Sequence, residues 1–212
     1  MNIEIFSDLI CPWCFIGKRR LDLALASGAG KGVNVVWRAF QLYPGLPDEG
    51  MDREAFLRLR YGGSGRPPSR SGIEAEAARV SIQMRFDKIG RMPNTFKGHR
   101  LLHRARADGV QHALADSLFS AYFEQGRDVG SDAVLVELAE QHGLDPQETA
   151  RFLASDESGE EVQAELERAA NIGISAVPCY LFAGAFALPG AQEPEVIAQV
   201  IERARERLAT TV

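Results

Sequence analysis

Apolar and polar positions along the chain alternate between two grammars. Ile3 to Phe6 is a short apolar run that predicts a strand, and a helical period opens at Cys11-Pro12-Trp13-Cys14. Phe15, Leu21, Leu23 and Leu25 are the expected apolar positions of that helix, with Lys18-Arg19-Arg20 as its solvated face and Gly28, Gly30 and Gly32 as its stop. Val33 to Trp37 then predicts a second strand, and a helix between two strands implies a right-handed parallel βαβ unit. From Gln41 to Ser155 the pattern is helical without a convincing strand. Helices are expected over Asp52 to Tyr61, Ile73 to Met84, Thr95 to Asp108, Leu114 to Gln125, Ser131 to His142 and Pro146 to Leu153, with Asn94 and Ser131 as N-caps and Gly143 as a stop. The Gly- and Pro-rich stretch Gly62 to Gly72 predicts a mobile loop. Strand grammar returns at the end: a helix from Glu160 to Asn171, a strand Cys179 to Phe182, a turn at Gly184, a strand near Phe186, and a closing helix from Glu193 to Leu208 with Pro194 in its first turn. The expected class is α/β, with a βαβ part over residues 1–41, a helical insertion over 42–155 and an αββα part over 156–212.

Composition narrows the function classes. The 212 residues are 45% hydrophobic and 25% charged, the balance of a globular chain with a sizeable core. A net charge of -5 argues against a phosphate backbone as main partner, so no nucleic acid is expected. The N-terminus lacks the basic and apolar regions of a secretory signal, and no stretch approaches the roughly 18 apolar residues of a membrane span. A cytoplasmic protein without a membrane partner is therefore expected. In such a compartment three cysteines do not form a structural disulfide framework.

Two of those cysteines carry the chemistry. Cys11 and Cys14, at i and i+3 on the first turn of a helix, share one face and can close or open a small disulfide ring. Cys11 falls at the N-cap, where orphan N–H groups and the helix dipole favour a thiolate, which makes it the nucleophile. Cys14, one turn in, is the more buried thiol and keeps its proton until a mixed disulfide forms on Cys11, when it resolves it. A CxxC after a strand in a βαβ context reads as a thioredoxin-like redox motif. The competing reading is half of a zinc site, to which His99 and His103 could contribute, but no second CxxC completes the usual four ligands and no metal is expected. Val177-Pro178, ending a Gly-containing loop and leading into a strand, fits a cis-proline turn beside the thiols.

A longer set of segments extends this reading. They are Ser7-Asp8 before CPWC, Phe15-Ile16-Gly17-Lys18-Arg19 after it, Arg38 to Leu42, Pro93-Asn94-Thr95, His99-Arg100-Leu101, Ala121-Tyr122-Phe123, Gly173 to Pro178 and Gly190-Ala191-Gln192. With them the chain resembles, nearly end to end, the DsbA-like thioredoxin family in its cytoplasmic FrnE-type branch, which is related to 2-hydroxychromene-2-carboxylate isomerase and kappa-class glutathione transferase. The resemblance implies a thioredoxin-like core whose helical insertion caps the thiol site, with Phe40-Gln41-Leu42 and Asn94 near its wall. Catalytic Cys11 and Cys14 are then accompanied by substrate-binding Pro12, Trp13, Val177, Pro178, Asn94 and Gln192. The implied activity is thiol-disulfide exchange with protein or small-molecule disulfides, needing no cofactor beyond the redox-active disulfide, with glutathione admitted as reductant or substrate and a homodimer left open. The alternative is a glutathione-dependent isomerase or transferase, against which Cys14 counts because a one-thiol enzyme needs no resolving cysteine. A non-catalytic binding module would leave CPWC idle.

Two residues depart from the family pattern: Ala176 stands in place of glycine and Cys179 follows the cis-proline position. Cys179 reads as a small buried hydrophobe, a bystander thiol or a third redox participant. His99 reads as a packing residue or a cleft residue, Gln192 as a helix cap or a carboxylate contact, and Phe119, Tyr122 and Phe123 as core of the cap.

Overall fold

The computed structural model describes residues 1–62 and 69–210. Strand β1 (Asn2–Ser7) leads through a short turn into helix α1 (Pro12–Ala24), which widens into a π-helical turn over Leu25–Ala29, where Gly28 takes φ of 106°. Strand β2 (Asn34–Ala39) pairs parallel with β1, Ile5 opposite Trp37, as the βαβ reading requires. After the insertion, β5 (Cys179–Phe182) pairs antiparallel with β1, Phe6 opposite Cys179, and β6 (Phe186–Pro189) pairs antiparallel with β5. The four strands form one sheet in the order β2-β1-β5-β6.

Between β2 and β5 lie α2 (Arg53–Tyr61), α3 (Ser71–Arg79), α4 (Phe96–Ala105), α5 (Gln111–Phe123), α6 (Asp132–Glu140), α7 (Pro146–Ala154) and α8 (Gly159–Asn171); α9 (Pro194–Thr210) closes the chain. Helix α3 begins two residues before the expected start, on Ser71 and Gly72, and stops at Arg79, where Val80 leaves the helical region and Ser81 takes φ of 60°. The insertion also holds a two-residue ladder, β3 (Met51–Asp52) with β4 (Arg91–Met92), too short to leave an alternating pattern in the sequence. Most of the loop expected over Gly62 to Gly72 lies outside the described residues.

Side chains blunt the β2 edge of the sheet. Gln111 of α5 accepts from the Trp37 N–H at 3.0 Å and donates to the Trp37 carbonyl at 3.1 Å, standing in for the next strand. Glu165 of α8 accepts from the Ala39 N–H at 2.9 Å, so this edge offers little to another chain.

Helix α1 departs most from its sequence reading. Leu23, expected inside, is 52% exposed, whereas Lys18 and Arg20, expected on a solvated face, are 5% and 3% exposed. The reason is that α1 packs on α9, α3 and α5 at once, so the far side of the helix meets protein instead of water. Lys18 bridges Asp22 at 2.7 Å and Asp116 of α5 at 2.8 Å. Arg20 pairs with Glu76 of α3, with Glu193 at 2.8 Å and with the Ala191 carbonyl.

One glycine sets how near α1 comes to the sheet. A Cβ at Gly17 would stand 2.9 Å from Pro178 Cγ and in hard contact with the Tyr180 hydroxyl. Gly17→Ala is expected to lose about 2 kcal/mol by overpacking, read as a lower urea midpoint at unchanged slope. If those neighbours yield freely, the helix preference for alanine would instead raise the midpoint.

Candidate active site

The site is built where α1 starts. Cys11 is the N-cap residue in an extended conformation, Pro12 follows as the first helical residue, and the Cys14 N–H returns to the Cys11 carbonyl at 3.0 Å. The Cys11 Sγ lies 3.6 Å from the Val177 carbonyl oxygen, to which the thiol donates, and the Val177–Pro178 peptide bond is cis. The Pro178 carbonyl in turn accepts from the Gly190 N–H at 2.7 Å, which ties the Gly190-Ala191-Gln192 turn to the same loop. The first thiol thus rests on the cis-proline loop, which the Gly190 turn braces from behind.

The two thiols differ in environment. Both are buried, Cys11 at 5% and Cys14 at 1% exposure, and neither is in a disulfide. Burial is the main force that pushes the Cys14 thiol well above its ordinary pKa of 9.0, and the neighbouring Cys11 adds to the rise. The Ser7 side chain and the Asp8 backbone face Cys14 and oppose that rise only in part. Cys14 is therefore a neutral thiol near pH 7, as its place one turn inside the helix implies.

Asp8 is a site residue that spacing alone did not single out. It is wholly buried, its carbonyl accepts from the Cys11 N–H at 3.0 Å, and its Oδ2 accepts from the Leu42 N–H at 2.7 Å. Its Oδ1 lies 3.6 Å from Nε2 of buried His99 on α4, and neither atom has another partner among the described residues. One residue therefore ties the turn before the motif, through its backbone carbonyl, to the chain leaving β2, through its carboxylate. The signal in the sequence was an acid three residues before Cys11, visible only as part of the family pattern. His99 is thus a packing partner of Asp8, which accounts for its burial.

The expected substrate-binding residues are scattered around this centre. Trp13 is 37% exposed at the helix start. Pro12 lines a cleft that runs under α2. Gln192 folds back, its side chain donating to the Pro189 carbonyl at 2.7 Å, in the manner of a turn cap. Asn94 accepts from Gln41 and from the Phe96 N–H and donates to the Leu46 carbonyl; it satisfies the first N–H of α4, but Thr95, one residue later than expected, is the N-cap position. The cavity that Asn94 lines, with Phe40, Gln41 and residues of α8, includes neither cysteine of the motif.

Cys179 stands apart from the thiol pair for a simple reason. Side chains alternate across a strand, and Cys179 packs with Phe6, Ala169 and Leu181 on one face while Tyr180, whose hydroxyl meets Gly17 of α1, belongs to the other. Burial pushes its thiol up as well. It behaves as a small buried hydrophobe.

The comparisons agree with this geometry. A family model for the DsbA-like thioredoxin domain matches residues 2–202. A probable DsbA oxidoreductase from Streptomyces coelicolor superposes with a TM-score of 0.87 at 35% identity, over 97% of this chain and 90% of that one. An uncharacterized Bacillus subtilis protein, YwbO, is 27% identical over 95% of this chain and 96% of its own length. A 2-hydroxychromene-2-carboxylate isomerase shares the fold, with a TM-score of 0.72 at 16% identity and full coverage of both chains. The family match spans nearly the whole chain and includes the CPWC helix and the cis-proline loop, and the chain belongs to the DsbA-like thioredoxin family.

Proposed function

We propose that the protein is a thiol-disulfide oxidoreductase in which Cys11 attacks and Cys14 resolves. The observation that carries this reading is the asymmetry of the pair: an N-cap thiol in contact with the cis-proline loop, and a second thiol one turn deeper, buried and held neutral. The Cys11 thiolate attacks one sulfur of a substrate disulfide, forming a mixed disulfide and expelling the other sulfur as a thiolate. Cys14 then gives up its proton and attacks Cys11 Sγ, which closes the Cys11-Cys14 disulfide and frees the second substrate thiol. The substrate gains two electrons and the protein loses them; the reverse sequence oxidises a dithiol.

The reading of a glutathione-dependent isomerase or transferase draws on the shared fold of 2-hydroxychromene-2-carboxylate isomerase alone. A one-thiol mechanism leaves the buried Cys14 without a task.

Equilibration in glutathione buffers followed by thiol alkylation and mass measurement tests the proposal. A reversible two-electron transition is expected, absent in Cys14→Ser, which should accumulate a mixed disulfide on Cys11. A wild-type protein that holds one glutathione on Cys11 and never closes the intramolecular disulfide would overturn it. A second outcome follows from burial, the largest contribution at Cys14. In Cys11→Ser, where the lone Cys14 retains that burial, alkylation by iodoacetamide should stay slow below pH 9.0 and accelerate above it. Rapid alkylation at pH 7 would mean that the thiol is neither buried nor neutral in solution.

A further inference from the structure

The cleft that Pro12 opens onto is lined by apolar and aromatic side chains, among them Ile10, Phe86 and Tyr122, and among the described residues every charged one in its lining is an arginine. Arg53 is the first residue of α2 and Arg70 immediately precedes α3. Among the described residues neither has a carboxylate within ion-pair distance, whereas Arg20, Arg38, Arg85, Arg127 and Arg168 all do. The Arg70 guanidinium carbon stands over the Phe86 ring at 4.6 Å from its centroid, which holds the guanidinium against the cleft wall. Burial and the nearby Arg53 charge both act against the Arg70 cation, only partly offset by Glu74. Two like charges converging on an apolar cleft are costly unless an anion joins them.

The cavity, about 190 Å³, falls below the range for drug-sized ligands and suits a group the size of one substituted ring or one large side chain. Neither cysteine is part of its lining, but Ile10 and Pro12, the residues on either side of Cys11, both are, so the cleft adjoins the turn from which the substrate half of a mixed disulfide on Cys11 would extend.

We propose that this cleft is the specificity site for substrates that carry a carboxylate on an apolar or aromatic body, the anion bound between Arg53 and Arg70 and the body laid against Phe86 and Tyr122. The inference rests on the thiol-exchange reading for the placement of the reacting sulfur, and on the cleft alone for the anion. The protein's net charge of -5 opposes anionic substrates at long range, so a preference for them must come from these local charges.

Two aromatic disulfides separate the contributions: 5,5′-dithiobis(2-nitrobenzoate), with one carboxylate per ring, and neutral 2,2′-dithiodipyridine. Each oxidises the reduced protein to the Cys11-Cys14 disulfide and leaves as two thiolates or thiones, so atoms and electrons balance without another reactant. The ratio of the two rates, divided by the same ratio for free cysteine, should exceed one for the wild type and narrow with added salt. It should fall about tenfold in Arg53→Gln and in Arg70→Gln, as expected for the loss of one charge-assisted hydrogen bond. Arg58→Gln removes a charge from the same helix but outside the cleft and should leave the ratio unchanged.

Binding is read separately by titrating 5-(methylthio)-2-nitrobenzoate, which cannot exchange, and its methyl ester against tryptophan fluorescence. The acid should bind the wild type and weaken about tenfold in either variant, the ester should not distinguish them, and Arg70→Lys should recover part of the affinity. A rate ratio and an affinity that both ignore Arg53 and Arg70 overturn the inference and leave thiol exchange standing. Failure of both disulfides to close Cys11-Cys14, with the acid still bound through the arginines, overturns thiol exchange and leaves the anion site standing.

Discussion

The rest of the structure depends on α1 being packed against protein on most of its sides. The first turn of α1, which carries Cys11 and Cys14, presses against the cis-proline loop, and Gly17 permits the approach to Pro178 and Tyr180. The opposite side is then covered by α3, α5 and α9. The Phe15 ring stacks on Phe119 and Phe123 of α5, with ring centroids 5.5 and 6.0 Å apart. Covering a helix on most of its sides, with Trp13 and Leu23 left exposed, removes much of the place where its charged residues would normally sit. Lys18 and Arg20 consequently become the polar seams between α1 and its neighbours. Each meets carboxylates that keep partial contact with water, which limits the desolvation those ion pairs cost.

This constraint also explains what could be read from the sequence. The strands, the βαβ unit, the final hairpin and the insertion's helices follow from local period, and the CPWC pair and Val177-Pro178 from motif spacing. The solvent exposure of α1 does not follow, because Lys18 and Arg20 satisfy a helical polar face as well as they satisfy buried pairing; which applies depends on α3 and α9, distant in sequence. The β3-β4 ladder was invisible for a related reason: two residues carry no period, and their pairing is settled by the loops that bring Met51 to Met92. Asp8 and His99 lie between these cases. Both belong to recognisable segments, but only the fold brings an acid before β1's turn to a histidine on α4.

The sheet's alternation does further sorting. Tyr180 and Cys179 are neighbours in sequence, yet one belongs to the α1 side and the other packs with Phe6 and Ala169 on the α8 side. A third thiol two positions from Val177 is thereby kept from the pair that Val177 contacts, without any need for distance along the chain. The same sheet has its β2 edge occupied by Gln111 and Glu165, so the elements that hold the insertion in place also remove an adhesive surface.

On the proposed reading, reactivity and selectivity fall to different parts of one chain. The core supplies what exchange chemistry requires: an N-cap sulfur, a buried partner one turn away and a backbone loop against which the first sulfur rests. These features come from helix geometry and strand order, and they are indifferent to what the substrate carries beyond its sulfur atoms. The insertion supplies the wall next to that sulfur, and there the chain places Arg53, Arg70 and aromatic rings that the catalytic steps do not use. Unlike Lys18 and Arg20, which join elements through ion pairs, Arg53 and Arg70 have no carboxylate at ion-pair distance among the described residues, and Arg70 rests on the Phe86 ring instead. Their cost is offset when a ligand supplies the missing charge, and a site arranged in that way selects substrates by the anion they bring rather than by the bond they exchange.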